Sequence, residues 1–280
     1  MEKYDIVITN KRKWFSLNIG ELLKYRDLIW LFVKRDFVSR YKQTVLGPAW
    51  AIIQPLLTTV VLTVVFGNMA GLSPSGVPAF LFYFAGTLVW TYFSSCLTIT
   101  SNTFIGNSHL FGKVYFPRLV MPISAVLAQL ISFMIQFVLF IGFLLYHFIN
   151  KSGVSPNLWM LFTPVLIIHI ALLSMSCGII ISALTTKYRD LGMLVSFGVQ
   201  LWMYATPIAY DYNNIIPKYL HIYMMLNPMS PIVMVFRYAF LGTGYINWSY
   251  YLTSVGITFV ILFFGITLFN RVEKNFMDTV

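Results

Sequence analysis

The chain has 280 residues, of which 58% are hydrophobic and 10% are charged, and its formal net charge at pH 7 is +10. A soluble domain is usually about 45–50% apolar and about 25% charged, so this composition indicates an integral membrane protein. The two cysteines, Cys96 and Cys177, both lie in apolar segments. This placement excludes a small secreted fold held together by disulfides.

Positive charge is concentrated near the N-terminus. Ten of the 19 Lys and Arg residues precede position 43, and most of the others lie at the edges of apolar segments. This distribution is typical of membrane topology and not of a nucleic-acid interface, so no nucleic-acid partner is expected.

Apolar segments of the length needed to cross a bilayer as a helix occur six times. A helix crosses about 30 Å of hydrocarbon with about 20 residues. We therefore expect an all-α integral membrane protein, with a cytoplasmic segment over residues 1–45 and a transmembrane domain over residues 46–280. The six spans are predicted near residues 46–66, 79–104, 119–148, 158–185, 191–210 and 250–269.

The orientation of these spans follows from the positive-inside rule. With the N-terminus placed in the cytoplasm, 16 Lys and Arg residues fall on the cytoplasmic side and three on the outer side. The sequence therefore predicts that both termini are cytoplasmic, which requires an even number of spans.

Residues 212–245, between the fifth and sixth spans, contain two further apolar stretches. Tyr219–Leu226 and Ile232–Leu241 are each too short to cross the membrane, and Pro217, Pro228 and Pro231 bound them. Segments of this length are usually re-entrant or interfacial. We predict a re-entrant helical hairpin that enters the outer leaflet.

Residues 21–42 show a helical repeat of apolar side chains, with most charged side chains on the opposite face. This pattern predicts an N-terminal amphipathic helix along the cytoplasmic membrane surface. Its basic residues either enforce topology and contact anionic lipid, or bind a partner protein. The apolar face comprises Leu22, Tyr25, Ile29, Phe32 and Val33.

The sequence carries no recognisable catalytic, metal or nucleotide motif. The four histidines are dispersed, and the nearest match to a phosphate-binding loop, Gly106–Lys113, has five residues between its glycines and continues with Val114. The predicted spans contain few ionisable side chains besides His169. We expect no enzyme activity, no metal and no cofactor in this chain, and an energy source in another subunit if it transports a solute.

Aromatic residues are dense in and after the fifth predicted span, and Trp50 lies in the first predicted span between Pro48 and Pro55. Such rings commonly form interfacial belts. Alternatively, they line a channel for sugars, whose apolar faces stack on aromatic rings. Pro55 is expected to kink the first span. The candidate lining residues are Trp50, Trp202, Tyr204, Tyr210, Tyr212, Tyr219, Tyr223, Phe236 and Tyr238.

Several ordered motifs resemble those of permeases in type-2 ATP-binding-cassette polysaccharide exporters. Residues 35–50 read RDFVSRYKQTVLGPAW and are followed by Gln54-Pro55. The further motifs are Phe116-Pro117-Arg118 with Pro122, Tyr188-Arg189-Asp190, Thr206-Pro207-Ile208, and Asn227-Pro228-Met229-Ser230-Pro231 with Arg237.

The resemblance implies a homodimer with a channel, powered by two copies of a separate ATPase subunit that binds ATP and magnesium. It also implies that residues 21–42 form an interface helix and that the loop 105–118 couples to the ATPase. The coupling residues would be Arg35, Asp36, Arg40, Tyr41, Asn107, Leu110, Phe111, Lys113, Tyr115, Phe116, Pro117, Arg118, Arg189 and Asp190. The candidates for binding a lipid diphosphate are Arg40, Lys42 and Arg237. Independently of the resemblance, Arg237 in the apolar hairpin requires a partner, which is a carbonyl, a carboxylate or a diphosphate, and a structural partner is the more common outcome.

These features together predict an inner-membrane permease that exports a lipid-linked polysaccharide, with O-antigen on a polyprenyl diphosphate as the expected cargo. Teichoic acid, capsule, and another lipid or drug are alternative cargoes. A membrane-embedded glycosyl or acyl transferase would need clustered acidic or histidine residues, but five of the nine Asp and Glu residues precede position 37. A self-contained channel would conduct without nucleotide.

Overall fold

The computed structural model describes residues 19–42, 44–72, 74, 76–111, 113–114, 116–188, 190–212 and 217–279. Regular structure in these residues is entirely helical. The helices are α1 (Ile19–Lys24), α2 (Arg26–Tyr41), α3 (Trp50–Leu62), α4 (Ala79–Ser101), α5 (Thr103–Gly106), α6 (Ser108–Phe111), α7 (Val120–Ile149), α8 (Thr163–Thr185), α9 (Leu191–Tyr204), α10 (Pro217–Leu226), α11 (Met229–Leu241) and α12 (Trp248–Thr279).

Five helical segments are long and apolar enough to cross a membrane, and they correspond to five of the six predicted spans. The first joins α3 to a 3-10 turn before it and a π-helical turn after it, and the fourth joins α8 to a preceding 3-10 turn. Pro48 stands in the first turn of the first segment and Pro164 in the first turn of α8, where the missing N–H leaves no hydrogen bond unmade. The segments are Gly47–Met69, Ala79–Ser101, Val120–Ile149, Leu158–Thr185 and Trp248–Val272.

The helix at the fifth predicted span is shorter than residues 191–210. It ends at Tyr204 and is about 21 Å long at about 1.5 Å per residue. The reason is Pro207, which disfavours helical geometry at Thr206. The carbonyl that this helix end leaves free, on Ala205, accepts hydrogen bonds from Tyr223 and Asn227.

The region of the predicted hairpin contains two helices, α10 and α11. They are separated by Asn227 and Pro228 and bent by 99° relative to each other, and as a pair they also satisfy the length and composition of a broken span. A bend at a proline is expected because proline removes a backbone donor. The re-entrant path through the outer leaflet stays a prediction.

Helix α4 lies at the centre of the molecule and contacts α3, α7, α8, α9 and α11. Most of its residues are buried, and they form the larger apolar cluster together with residues of α7, α8 and α11. Against α8 the backbones approach closely, because Gly178 faces Thr100 without a side chain between them. Small residues permit such close helix packing in membranes.

Helix α2 packs lengthwise on α7 and runs in the same direction. Near its middle, the Phe32 ring lies 5.8 Å from that of Phe116, just before α7 begins. At its end, Arg40 and Tyr41 bond side chains of α7. The apolar face predicted for residues 21–42 is the packed one, since Phe32 and Val33 are buried. A turn at Tyr25 interrupts the helix and separates α1 from α2.

Candidate functional site

A polar cavity of about 560 Å³ lies between α2, α3, α4 and α7, with Met203 of α9 also at its wall. Volumes between 300 and 1,000 Å³ are typical of ligand sites. Trp50 and Trp90 contribute aromatic rings to this cavity, and Gln54 contributes an amide. The cavity therefore offers both apolar faces and hydrogen-bonding groups to a ligand.

Helix α7 supplies one polar face of the cavity through Gln129, Ser132 and Gln136. Their spacing of three and four residues places them on the same side of the helix. Gln129 and Gln136 are each only 5% exposed, although amide side chains are seldom buried in an apolar span. Their spacing within an otherwise apolar segment was the available sequence signal for this site.

Arg40 and Tyr41 reach the cavity from the end of α2. Nη1 of Arg40 donates to Oε1 of Gln129 over 2.5 Å, and the Tyr41 and Ser132 hydroxyl oxygens are 3.0 Å apart. Among the residues that the structure describes, no carboxylate lies within 4.0 Å of the Arg40 guanidinium. Among the described side chains, the hydrogen-bond partner of Arg40 is the neutral amide of Gln129.

The three residues proposed to bind a lipid diphosphate occupy different environments. Arg40 lines the cavity, whereas Lys42 is exposed and lies outside its wall. Arg237 is 4% exposed in α11, and its guanidinium donates to the carbonyl oxygens of Phe82, Pro207 and Ile208. The structure thus gives Arg237 three carbonyl acceptors, and Arg237 does not line the Arg40 cavity.

The packing around Arg237 is tight. Its guanidinium carbon lies 3.6 Å from the centroid of the Phe82 ring. A Cβ atom added to Gly86 would lie 2.6 Å from Nη2 of Arg237, so glycine at this position leaves room for the guanidinium. Asp211 is also buried and borders the same small cleft as Arg237. Arg237 therefore ties the turn after α9 to α4.

Two of the predicted channel aromatics instead bond the turn after α9 to α10. The hydroxyl oxygens of Tyr210 and Tyr223 are 2.9 Å apart, and Tyr223 also donates to the carbonyl oxygen of Ala205. Trp202 donates through Nε1 to Oδ1 of Asn227 over 3.0 Å. Asn227, which was noted in the sequence only as part of a motif, thus connects α9 to α11.

The other predicted channel aromatics are dispersed. Phe236 is 1% exposed and packs in the larger apolar cluster, so this position is not on a surface of the chain. Tyr238 is half-buried, and the Tyr212 ring contacts that of Tyr245. Tyr204 and Tyr219 are exposed, while Trp50 lines the polar cavity.

The predicted coupling loop contains the end of α5 and all of α6, and phenylalanines in and beside it pack against other helices. The rings of Phe111 and Phe116 are 5.8 Å apart, and the Phe104 ring stacks on Phe269 of α12 at 4.4 Å. Phe111 and Phe116 are buried in a second, smaller apolar cluster, which also contains Phe32 of α2. Phe116 thus holds the loop against α2, and Phe104 holds the start of this region against α12. The Lys113 side chain of the loop remains exposed.

The remaining predicted coupling residues have local partners or face outward. Arg35 forms an ion pair with Asp36 at 2.7 Å. The accessible set includes Lys113 and Asp190, which are exposed. Asn107 donates to the Thr103 carbonyl, and the Arg118 guanidinium lies 5.3 Å from the Phe111 ring centroid. Leu110 and Pro117 are half-buried. Tyr115 and Arg189 fall outside the described residues.

Residues suited to a metal ion are not grouped in the described part of the chain, where no set of three His, Cys, Asp or Glu side chains converges. His169 lies in α8 with its Nε2 atom 3.0 Å from the Thr258 hydroxyl of α12. This contact connects two apolar helices, as expected for a polar packing residue within a membrane bundle.

Comparison with known proteins places these features in a family. The chain matches the model of the ABC-2 type transporter family over residues 27–241 and belongs to this family of membrane transporters. The resemblance indicated by the sequence motifs is thereby confirmed.

Individual relatives match almost the entire chain. It is 29% identical over 263 residues to the O-antigen export system permease protein RfbA of Klebsiella pneumoniae, covering 93% of this chain and 96% of the relative. A second protein of that name from the same organism is 29% identical over 266 residues, with coverages of 93% and 96%. The protein of that name from Myxococcus xanthus is 25% identical over 263 residues, with coverages of 94% and 98%.

Proposed function

We propose that this chain is the permease subunit of an ATP-driven exporter that moves lipid-linked O-antigen across the bacterial inner membrane. The observation that carries this proposal is the match to O-antigen export permeases along nearly their full length. The cargo would be a polysaccharide on a polyprenyl diphosphate carrier. Both termini would lie in the cytoplasm, in agreement with the distribution of Lys and Arg along the chain.

The working unit would be a dimer of this chain with two copies of a nucleotide-binding ATPase subunit. Apolar side chains on α3 and α9, including Val61 and Phe197, are exposed in the single chain. Such faces require lipid or a second copy around them. A channel between two copies would bring the polar cavities of both chains toward the same path.

Energy would come from ATP and magnesium bound by the ATPase subunit, since this chain shows no phosphate-binding loop. The packing of the coupling loop supports a role in transmitting movement from the ATPase subunit. Phe116 contacts Phe32 of α2, and Phe104, just before the loop, stacks on Phe269 of α12. Lys113 remains exposed. A movement of the ATPase against this loop would therefore be transmitted to α2 and from there to α7.

Reconstituted transport tests the proposal. The purified chain is placed in vesicles loaded on one side with lipid-linked O-antigen, with and without its ATPase and ATP. Polymer should cross only when ATPase and ATP are both present, because the chain itself supplies a path and no energy source. Sustained transport by the chain alone would show a self-contained channel and contradict the proposal.

A charge reversal in the coupling loop provides the matched variant for this assay. Lys113→Glu should lower ATP-dependent transport about two- to fivefold, since an exposed ionic contact contributes about 0.2–1 kcal/mol. Lys151→Glu makes the same change at the exposed position that follows the opposite end of α7. It should transport as the wild type does, and equal losses in both variants would contradict coupling through Lys113.

A further inference from the structure

The exposed Arg40 side chain brings a positive charge to one side of the polar cavity. Arg40 contacts Gln129, and no described carboxylate lies within 4.0 Å of its guanidinium. Arginine pairs particularly well with phosphate because its planar fork donates two parallel hydrogen bonds. This side of the cavity therefore offers a phosphate group a charged partner of matching geometry.

The same cavity contains a buried amide oxygen without a partner in the described part of the chain. The side-chain oxygen of Gln136 makes no hydrogen bond with any described atom, although Gln136 is only 5% exposed. Buried polar atoms are nearly always paired, and an unpaired one calls for an explanation. Since Gln136 lines the cavity, a donor group on a ligand would satisfy this oxygen.

The Arg40 contact at Gln129 and the unpaired oxygen of Gln136 lie at different heights along α7. Gln129 and Gln136 are two turns apart on one face, which is about 10 Å at about 1.5 Å per residue. Trp50, Trp90 and Gln54 also border the cavity. An aromatic ring beside amide groups suits a sugar, whose apolar face stacks while its hydroxyls donate and accept hydrogen bonds. Both a phosphate and an attached sugar therefore have matching protein groups.

We propose that this cavity binds the sugar diphosphate at the lipid-linked end of the polymer, with Arg40 on the phosphate and Gln136 on a hydroxyl of the attached sugar. This assignment rests on the proposed export function and specifies its substrate site. Gln129 orients Arg40 and, with Gln54, completes the amide lining. Gln136 would then be a specificity residue, since it distinguishes a sugar-bearing carrier from a bare one.

Binding to the purified full-length chain in lipid nanodiscs tests the assignment, with Trp fluorescence as the signal. The probes are geranylgeranyl diphosphate, the same lipid carrying N-acetylglucosamine or galactose, and uridine diphosphate N-acetylglucosamine. A sugar-bearing lipid should bind more tightly than the bare lipid diphosphate. Stronger binding of the soluble nucleotide sugar than of every lipid probe would overturn the proposal, because it would identify a site for a soluble ligand.

Two variants separate the phosphate from the sugar. Gln136→Leu should weaken the best sugar-bearing probe about three- to tenfold and change the bare lipid diphosphate less than about twofold, since one neutral hydrogen bond is lost. Arg40→Gln should weaken both probes at least about tenfold, because a charged contact is lost. Equal effects of Gln136→Leu on both probes, or none, would overturn the assignment.

Separate controls distinguish a folding defect from a binding defect. Because the Gln136 oxygen has no partner, Gln136→Leu should keep the thermal unfolding midpoint of the wild type. Gln200→Leu removes an exposed amide on α9 outside the cavity wall and should bind every probe as the wild type does. If gene deletion leaves surface O-antigen unchanged, the export function fails. If deletion abolishes export but Gln136→Leu binds normally, only the cavity assignment fails.

Discussion

Arg237→Leu should prevent the chain from accumulating as a folded membrane protein. The substitution removes three hydrogen bonds, to the carbonyls of Phe82, Pro207 and Ile208. A hydrogen bond to a charged group contributes about 1.5–3 kcal/mol, so the total loss of stability should exceed about 3 kcal/mol. The measurement is the fraction of monodisperse protein after detergent extraction, together with its thermal unfolding midpoint.

The matched control for this variant is Arg271→Leu, which removes an exposed arginine from α12. It should unfold at the wild-type temperature. Arg237→Lys keeps the charge but cannot reach three carbonyls at once, and it should be intermediate. If Arg237→Leu folds normally and loses only binding of geranylgeranyl diphosphate, then Arg237 is a diphosphate ligand and its structural role is wrong.

Gly178→Leu should be similarly severe because it forces α4 and α8 apart. A Cβ atom at this position would lie 2.6 Å from the Thr100 Cβ atom and 3.0 Å from the Leu97 carbonyl oxygen. Overpacking of a close-packed interior costs about 1–3 kcal/mol and more where backbone must move. Thermal unfolding in detergent should show a lower midpoint and a smaller yield of folded protein.

Gly142→Leu is the control that shares the substitution and its helical setting. Nothing lies within 4 Å of a Cβ atom at Gly142 in α7, so leucine is accommodated there. Since leucine also has a higher helix propensity than glycine, this variant should be as stable as the wild type or slightly more so. Equal unfolding midpoints for the two leucine variants would refute close packing of α4 on α8.

Hydropathy predicts the long spans well because each is set by the local requirement for about 20 apolar residues. The end of α9 was less predictable, since residues 205–210 are apolar enough to continue a span. They leave the helix because Pro207 breaks it and because Tyr223, Asn227 and Arg237 supply donors to the freed carbonyls. Those donors are distant in sequence, and a local pattern does not reveal them.

The candidate site was only partly predictable for a related reason. Motif resemblance indicated Arg40, and it singled out Tyr41 and Trp50, which also line the cavity. Gln129 and Gln136 belong to no motif, and their role depends on the packing of α2 against α7. Composition also cannot separate a buried aromatic residue from one lining a channel, so Phe236 was selected although it packs in the core.

Deletion of the gene tests the export function most directly. Surface O-antigen would be measured by immunoblotting, and lipid-linked polymer retained in the cell would be measured in parallel. Surface polymer should be lost while the finished lipid-linked polymer accumulates inside, and the wild-type chain should reverse both changes. Unchanged surface O-antigen with no retained polymer would contradict the assigned cargo.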